Sequence, residues 1–255
     1  MNNFQSILNQ LQSITLPEMN AVELLDRKDT KFLFDINQLS GVLSDLIDNY
    51  FVLEINNIRL ISYANLYFDT KDFQFYFQHH NGRLNRYKMR IRQYTDTGLC
   101  FFEIKFKTNT GRTVKKRMRL EKFEPVITSE IENFILKETP INPKTLIPNT
   151  EITFKRITLV EKNFQERATI DTGLILKNKD QEKKFETIAI AELKQNRTAS
   201  GSIFREVMRN HYSRELRLSK YCIGLSYLHP ELKQNHFKPK HLAIQKIEKN
   251  KLVYE

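Results

Sequence analysis

Tryptophan is absent from this chain, cysteine occurs only at positions 100 and 222, and glycine and proline number seven each in 255 residues. Two cysteines exclude a disulfide-dense scaffold and a thiolate-based zinc site, and they fit a reducing compartment. With so few glycines and no Walker A sequence (Gly111-Arg-Thr113 does not make one), bound phosphate has to be held by side chains rather than by a backbone cradle. No basic start followed by an apolar stretch opens the chain, and no run approaches the roughly 18 apolar residues that span a bilayer. Membrane association would therefore need a partner. No Pro/Gly/Ser-rich break divides the sequence, which argues for one large domain, and 40% apolar content is enough for a sizeable core. Acid is the scarcer charge. Thirty acidic residues face 41 basic ones, and the net charge of +11 points to an anionic partner: nucleic acid, membrane or phosphate.

What is present is cation at alternate positions. A strand through Arg86-Tyr-Lys-Met-Arg-Ile-Arg92 puts Arg86, Lys88, Arg90 and Arg92 on one face and Tyr87, Met89 and Ile91 on the other. Same-face neighbours stand about 7 Å apart, so each adjacent like-charged pair costs on the order of 2 kcal/mol at an effective dielectric near 20. An anion should lie against that face. The pattern recurs: Glu103, Lys105 and Lys107; Lys115, Arg117 and Arg119, with Lys116 on the opposite face; Arg167, Thr169 and Asp171; Glu192 and Lys194. Five segments of one design suggest an α+β fold: a closed antiparallel barrel of about eight strands, a basic tunnel inside and helices outside. The alternative is a half-solvated sheet with a basic outer face.

Periodicity predicts an N-terminal helix near Asn3–Ile14 and a strand near Lys28–Asp35. A helix follows at Asn37–Asp48, capped by Asn37. Strands are expected near Arg59–Phe68, Leu84–Tyr94, Leu99–Lys107 and Thr113–Glu121, with turns at Asp96-Thr-Gly98 and Asn109-Thr-Gly111. A helix at Ser129–Lys137 leads to a connector at Pro140, Pro143 and Pro148. Strands resume near Ile152–Glu161, Arg167–Leu176 and Thr187–Gln195, before a helix at Ser202–Tyr212 capped by Ser202. The Lys-rich tail after Pro230 has no clear period and reads as solvated or loosely packed. His79 and His80 read as surface or hydrogen-bonding residues, and Asp69 as a turn or cap residue.

Nine segments in order carry a resemblance: Arg27-Lys-Asp-Thr-Lys31, Tyr67-Phe-Asp-Thr70, Lys88-Met-Arg-Ile-Arg-Gln-Tyr94, Glu103-Ile-Lys105, Val114-Lys-Lys-Arg117, Phe154-Lys-Arg156, Arg167-Ala-Thr-Ile-Asp-Thr172, Ala191-Glu-Leu-Lys194 and Arg217-Leu-Ser-Lys-Tyr221. Together they resemble the polyphosphate polymerase domain of the vacuolar transporter chaperone (VTC) family, within the CYTH-like triphosphate tunnel metalloenzymes. The resemblance divides the chain into an N-terminal helical segment (1–22), a tunnel domain (23–229) and a basic tail (230–255). It implies that Lys31, Arg90, Arg92, Lys105, Lys115, Arg156 and Arg167 line the tunnel as catalytic phosphate ligands, joined by Arg117 and Lys194. It further implies a phosphate-contacting segment at Arg217, Ser219 and Lys220, and Glu192 as ligand of Mn²⁺ or Mg²⁺. Glu103 is either a second metal ligand or a neutralising counter-ion. Two departures stand out. Arg217 occupies a position where the family usually has Lys, and the loop between Lys105 and Lys115 is short. Where the superfamily's hydrolases carry Glu-x-Glu-x-Lys, this chain has Arg27-Lys-Asp-Thr-Lys31, which favours the polymerase branch.

The implied partners are ATP and inorganic polyphosphate in the cytoplasm, with a membrane protein as a possible tether. Phosphoryl transfer needs positioning and charge neutralisation more than covalent participation, and a phosphate acceptor needs no general base. Hydrolysis of triphosphate or polyphosphate, or polyphosphate binding without catalysis, would use the same residues. Nucleic acid is disfavoured because Tyr87, Phe102 and Phe106 fall on the face opposite the cations.

Overall fold

The computed structural model describes residues 4–20, 27–199 and 201–251. Its elements in chain order are α1 (Phe4–Gln10), β1 (Gln12–Ile14), α2 (Leu16–Asn20), β2 (Arg27–Asp35), α3 (Leu39–Ser44), β3 (Tyr50–Leu53), β4 (Ile61–Thr70), α4 (Gln74–His80), β5 (Arg86–Tyr94), β6 (Cys100–Lys107), β7 (Thr113–Leu120), α5 (Ser129–Glu138), β8 (Leu146–Glu161), β9 (Glu166–Lys177), β10 (Glu182–Phe185), β11 (Ile188–Asn196), α6 (Ile203–Asn210), β12 (Arg214–Glu215), α7 (Lys220–Leu228) and α8 (Lys238–Lys251).

The strands form one sheet in the order β12-β2-β11-β9-β8-β4-β5-β6-β7, with β3 and β10 branching from β8 and β9. Every pairing along this path is antiparallel. Among the described residues, the two ends of the path do not pair. The expected closed eight-stranded barrel is thus corrected to an open sheet of twelve strands. The charge pattern explains the opening: β7 ends the sheet with Lys115, Lys116, Arg117 and Arg119 all exposed, and cations on a terminal strand lose less solvation than buried ones.

Strand alternation separates the two faces. Under α1, α3 and α6, the apolar face of β2, β11, β9 and β8 buries Phe32, Phe34, Ala191, Ile170 and Leu159 against Leu8, Val42, Leu43 and Phe204. On β4, β5 and β6 the same face buries Phe68, Met89, Ile91, Phe102 and Ile104 against Phe75, Ile131 and Ile135 of α4 and α5. The opposite face divides along its length. One end is charged, and the other carries Tyr63, Tyr67, Ile152, Phe154, Leu174 and Leu176, packed against Tyr221, Ile223 and Leu225 of α7 and Ile244 of α8. Gly224 permits this approach, since a Cβ there would stand 3.3 Å from Ile152 and 3.4 Å from Leu176.

Several local expectations change. The N-terminal helix ends at Gln10, and Gln12–Ile14 pairs in parallel with β3 instead; Asn3 lies outside the described residues. The helix expected at Asn37–Asp48 is a 3-10 turn followed by a short α3. Its cap is Asp35, not Asn37, because the Asp35 carboxylate accepts from Asn37 N while the Gln38 side chain accepts from Asp35 N. Pro148 is not in a connector but inside β8, at the register shift opposite Phe68, where no ladder donor is needed. The tail after Pro230 is helical from Lys238, and Phe237 and Ile244 are buried. The boundary at 22/23 lies outside the described residues. Ser202 does cap α6, and Gly98 and Gly111 take the positive φ that their turns require.

Asp69 ties α4 and α7 to the sheet. Its buried carboxylate accepts from Thr70 N at 2.8 Å, Phe75 N at 2.8 Å, Tyr76 N at 3.0 Å and the Tyr221 hydroxyl. Asp69→Ala would leave three amides and a phenol without this acceptor, for an expected loss of about 3 kcal/mol in chemical denaturation. A loss below about 1 kcal/mol would mean that water takes over the carboxylate's bonds. His80, next on this helix, is buried with its Nδ1 2.9 Å from Asn81 Oδ1 and its ring stacked on His236.

Candidate phosphate-binding site

Two groups of cations occupy the charged end of the inner face. The first is built on the β5–β6–β7 meander, whose register sets Arg90 opposite Glu103, Lys88 opposite Lys105, and Lys105 opposite Lys115. Glu103 is buried and holds Arg90 by two hydrogen bonds, of 2.8 and 2.6 Å, to Nε and Nη2, as well as the Lys115 ammonium. Arg90 also donates to the Tyr67 hydroxyl at 2.9 Å, and Arg92 donates to Asn65 Oδ1 at 2.9 Å while standing 4.0 Å from Glu103. Burial raises the Glu103 pKa, but Arg90, Arg92 and Lys115 outweigh it and hold the carboxyl well below its ordinary range.

Among the described residues, Lys105 lies beside these cations with neither an acceptor nor an acidic partner within contact. The charge of Arg90, followed by burial and the charge of Arg92, pushes its ammonium well below 10.5.

The second group spans β8, β9, β11 and β2. Arg156 makes a bidentate pair with Asp171, at 2.5 and 2.8 Å, and Lys220 reaches the same carboxylate at 2.5 Å. Glu192 lies between two lysines, with Lys194 at 2.5 Å and Lys31 in contact across the β2–β11 ladder. Burial, then Lys220 and Lys194, pushes Lys31 down to about 7; burial, then Arg156, does the same for Lys194, and the charge of Asp29 opposes both shifts. Arg167 sits opposite Lys194 and makes no ion pair among the described residues. Burial lowers its pKa, as does Arg27.

α7 joins the groups. Its N-cap Ser219 accepts from Lys88 of β5 at 2.8 Å, and the next residue, Lys220, reaches Asp171 of β9. Tyr63 is a second bridge, since the guanidiniums of Arg92 and Arg156 lie 5.2 and 5.1 Å from its ring centroid. Lys31, Arg90, Arg92, Lys105, Lys115, Arg156, Lys194, Ser219 and Lys220 are therefore within one connected network. Arg117, over the Phe101 ring at 5.0 Å, and Arg217 are exposed at its margin.

A family model for the VTC domain matches residues 26–229. This chain belongs to the VTC domain family. Among solved structures, a putative adenylate cyclase from Vibrio parahaemolyticus is similar at 11% identity, covering 79% of this chain and 98% of that chain with a TM-score of 0.46. A putative adenylyl cyclase from Hippeastrum, described as having a dominant triphosphatase activity, is similar at 13% identity, covering 79% and 96% with a TM-score of 0.45. No curated protein matches the chain.

Sequence reasoning missed several residues of this VTC domain's network. Asp171 appears in the alternation but not among the expected site residues, although it is the counter-ion of both Arg156 and Lys220. Tyr63, Asn65 and Tyr67 of β4 also contribute, and of these only Tyr67 lies in one of the nine segments that carry the resemblance. Aromatic rings do occur on the charged face, at Tyr63, Tyr67, Phe101 and Phe154. Each is covered by a guanidinium, which takes up the face that a base would stack on.

The donor set bears on the implied metal. Among the described residues no three His, Cys, Asp or Glu side chains gather to hold an ion. Glu103 has both oxygens engaged with cations, and Glu192 lies between two lysines, with Asp29 opposite Lys194 on the neighbouring strand. Such a set does not hold an ion unaided. It fits a Mg²⁺-type ion that takes one carboxylate and completes its shell with phosphate oxygens and water. No helix of the described residues is long and apolar enough to cross a membrane.

Proposed function

We propose that this VTC domain is an ATP-dependent polyphosphate polymerase, in which the terminal oxygen of a growing chain attacks the γ-phosphate of ATP in line and ADP leaves. The observation that carries this reading is Lys105, beside Arg90 and Arg92 an ammonium with no acceptor among the described residues, in a group whose one carboxylate among those residues is Glu103. A run of phosphates supplies the missing charge, and a neutral ligand does not.

The residues divide the work. Arg90, Arg92, Lys105 and Lys115 bind one run of phosphate oxygens; Arg156, Lys31, Lys194 and Lys220 bind another. Ser219 and Tyr63 keep the two runs in register. Arg90 is pinned by Glu103 and Tyr67, and Arg156 by Asp171, so their guanidiniums are oriented before substrate arrives and cost no reorganisation as charge shifts to the leaving oxygen. No side chain has to remove a proton, because the acceptor phosphate is already anionic. A divalent cation bound through Glu192 would add further neutralisation at the triphosphate.

Incubation of the pure protein with ATP and Mn²⁺, followed by electrophoresis for polyphosphate, tests the assignment. A ladder of chains is expected. Release of free phosphate alone would assign hydrolysis, and retention of polyphosphate without turnover would assign a binding domain.

A further inference from the structure

We propose that β7 is a track for the polyphosphate chain, which passes sideways over the open edge of the sheet and not through the end filled by α7. This rests on the polyphosphate reading above.

Three observations lead to it. First, the far end of the inner face is solid: Tyr221 stacks on Tyr67, Gly224 meets Ile152 and Leu176, and Phe237 and Ile244 are buried behind them. A polymer whose last units lie beside Lys105 cannot continue in that direction. Second, among the described residues β7 pairs only with β6, so the sheet is open there along its other flank. Third, the two faces of β7 differ in charge balance. Lys116, on the outer face, has Glu138 at 3.7 Å. On the inner face Lys115, Arg117 and Arg119 follow one another at alternate positions, continuing outward from Lys105 and Glu103. Of these only Lys115 has a carboxylate; Arg117 lies on the Phe101 ring, and Arg119 pairs with no acid among the described residues.

Evenly spaced cations on an exposed strand suit a linear ligand with one negative charge per unit and no apolar part. A triphosphate fills the interior group, whereas only a longer chain extends to Arg119. The surface should therefore discriminate by length.

The test compares Arg119→Gln with Lys116→Gln, which remove the same charge from opposite faces of one strand. Binding of inorganic tripolyphosphate and of long-chain polyphosphate is measured calorimetrically, with the melting temperature confirming that each variant is folded. Arg119→Gln is expected to weaken long-chain binding about fivefold and to flatten its salt dependence, while tripolyphosphate binding holds and Lys116→Gln changes neither. Equal losses in the two variants would reduce the effect to the general field of the protein and overturn the track. So would an Arg119→Gln variant that binds long chains normally, or that loses both ligands in equal proportion. If the unaltered protein binds neither ligand, the reading of the interior site falls first and the track with it.

Discussion

Lys105→Met is expected to stabilise the ligand-free protein while weakening polyphosphate binding by about 10- to 100-fold. The two effects have opposite signs because Lys105 has no ion pair or hydrogen bond to lose among the described residues, and the nearby Glu103 charge is outweighed by Arg90 and Arg92. Removing a half-buried ammonium pressed by Arg90 and Arg92 relieves repulsion worth about 1 kcal/mol. In the complex the same ammonium makes a charge-assisted bond to phosphate, worth about 1.5–3 kcal/mol. A side chain that served only the fold would lower both quantities. Titration gives a second readout. The folded, unliganded pKa lies below the unfolded value of 10.5, so the unfolded chain binds more protons in the interval between them. The destabilisation is complete below the folded pKa and fades as pH rises toward 10.5, and the stability advantage of the Met variant should fade with it. An anion restores the proton, so binding should take up protons and weaken as pH rises through the same interval. Reduced stability of Lys105→Met, or unchanged affinity, would remove Lys105 from the site.

Arg90 and Arg156 would behave differently. Each is locked to a buried carboxylate, so truncation leaves Glu103 or Asp171 short of a counter-charge and lowers stability together with binding. Their variants cannot separate structure from function, which is why the unpaired lysine is the sharper probe.

How much of this was legible in the sequence follows from what each segment buries. Strands with one wet and one dry face declare themselves by alternation, and β2, β5, β6, β7, β9 and β11 are recognisable within two residues of their ends. α7 is apolar on nearly every side because it is enclosed by the sheet, by α4 and by α8; with no polar face it has no helical period to read. That omission hid the plugged end and made an open tunnel the natural expectation. β10 failed for the opposite reason, since Glu182-Lys-Lys-Phe185 holds its place by pairing with β9 and buries only Phe185. Closure was illegible because it depends on whether two edges meet, and alternation within a strand carries no information about that. The roles of Asp171 and Tyr63 are likewise relational. Each matters through the arginine across a ladder, and a one-dimensional pattern does not pair strands.

Glu192→Gln gives the remaining large effect, and it separates metal holding from charge balance. In the ligand-free protein Glu192 neutralises Lys31 and Lys194, so its replacement frees both ammonium groups and should leave metal-free tripolyphosphate binding intact or tighter by several-fold. That outcome is common to both roles. They diverge when Mn²⁺ is added. A carboxylate that completes an ion's shell beside phosphate oxygens gives the ion charge that an amide cannot supply. Removing it should abolish the increase in tripolyphosphate affinity on Mn²⁺ titration and cut turnover by at least about 100-fold. A carboxylate that only balances lysines would leave the Mn²⁺ titration unchanged. We expect loss of the titration, because Glu192 keeps a quarter of its side chain exposed between flexible lysines. Glu103, by contrast, is fully enclosed by Arg90, Arg92 and Lys115. An ion approaching Glu192 displaces two mobile ammonium groups that phosphate can then receive; one approaching Glu103 would have to break an oriented guanidinium pair. Retention of the full Mn²⁺ response in Glu192→Gln would place the ion away from the contacts with Lys31 of β2 and Lys194 of β11 and leave Glu192 a counter-ion.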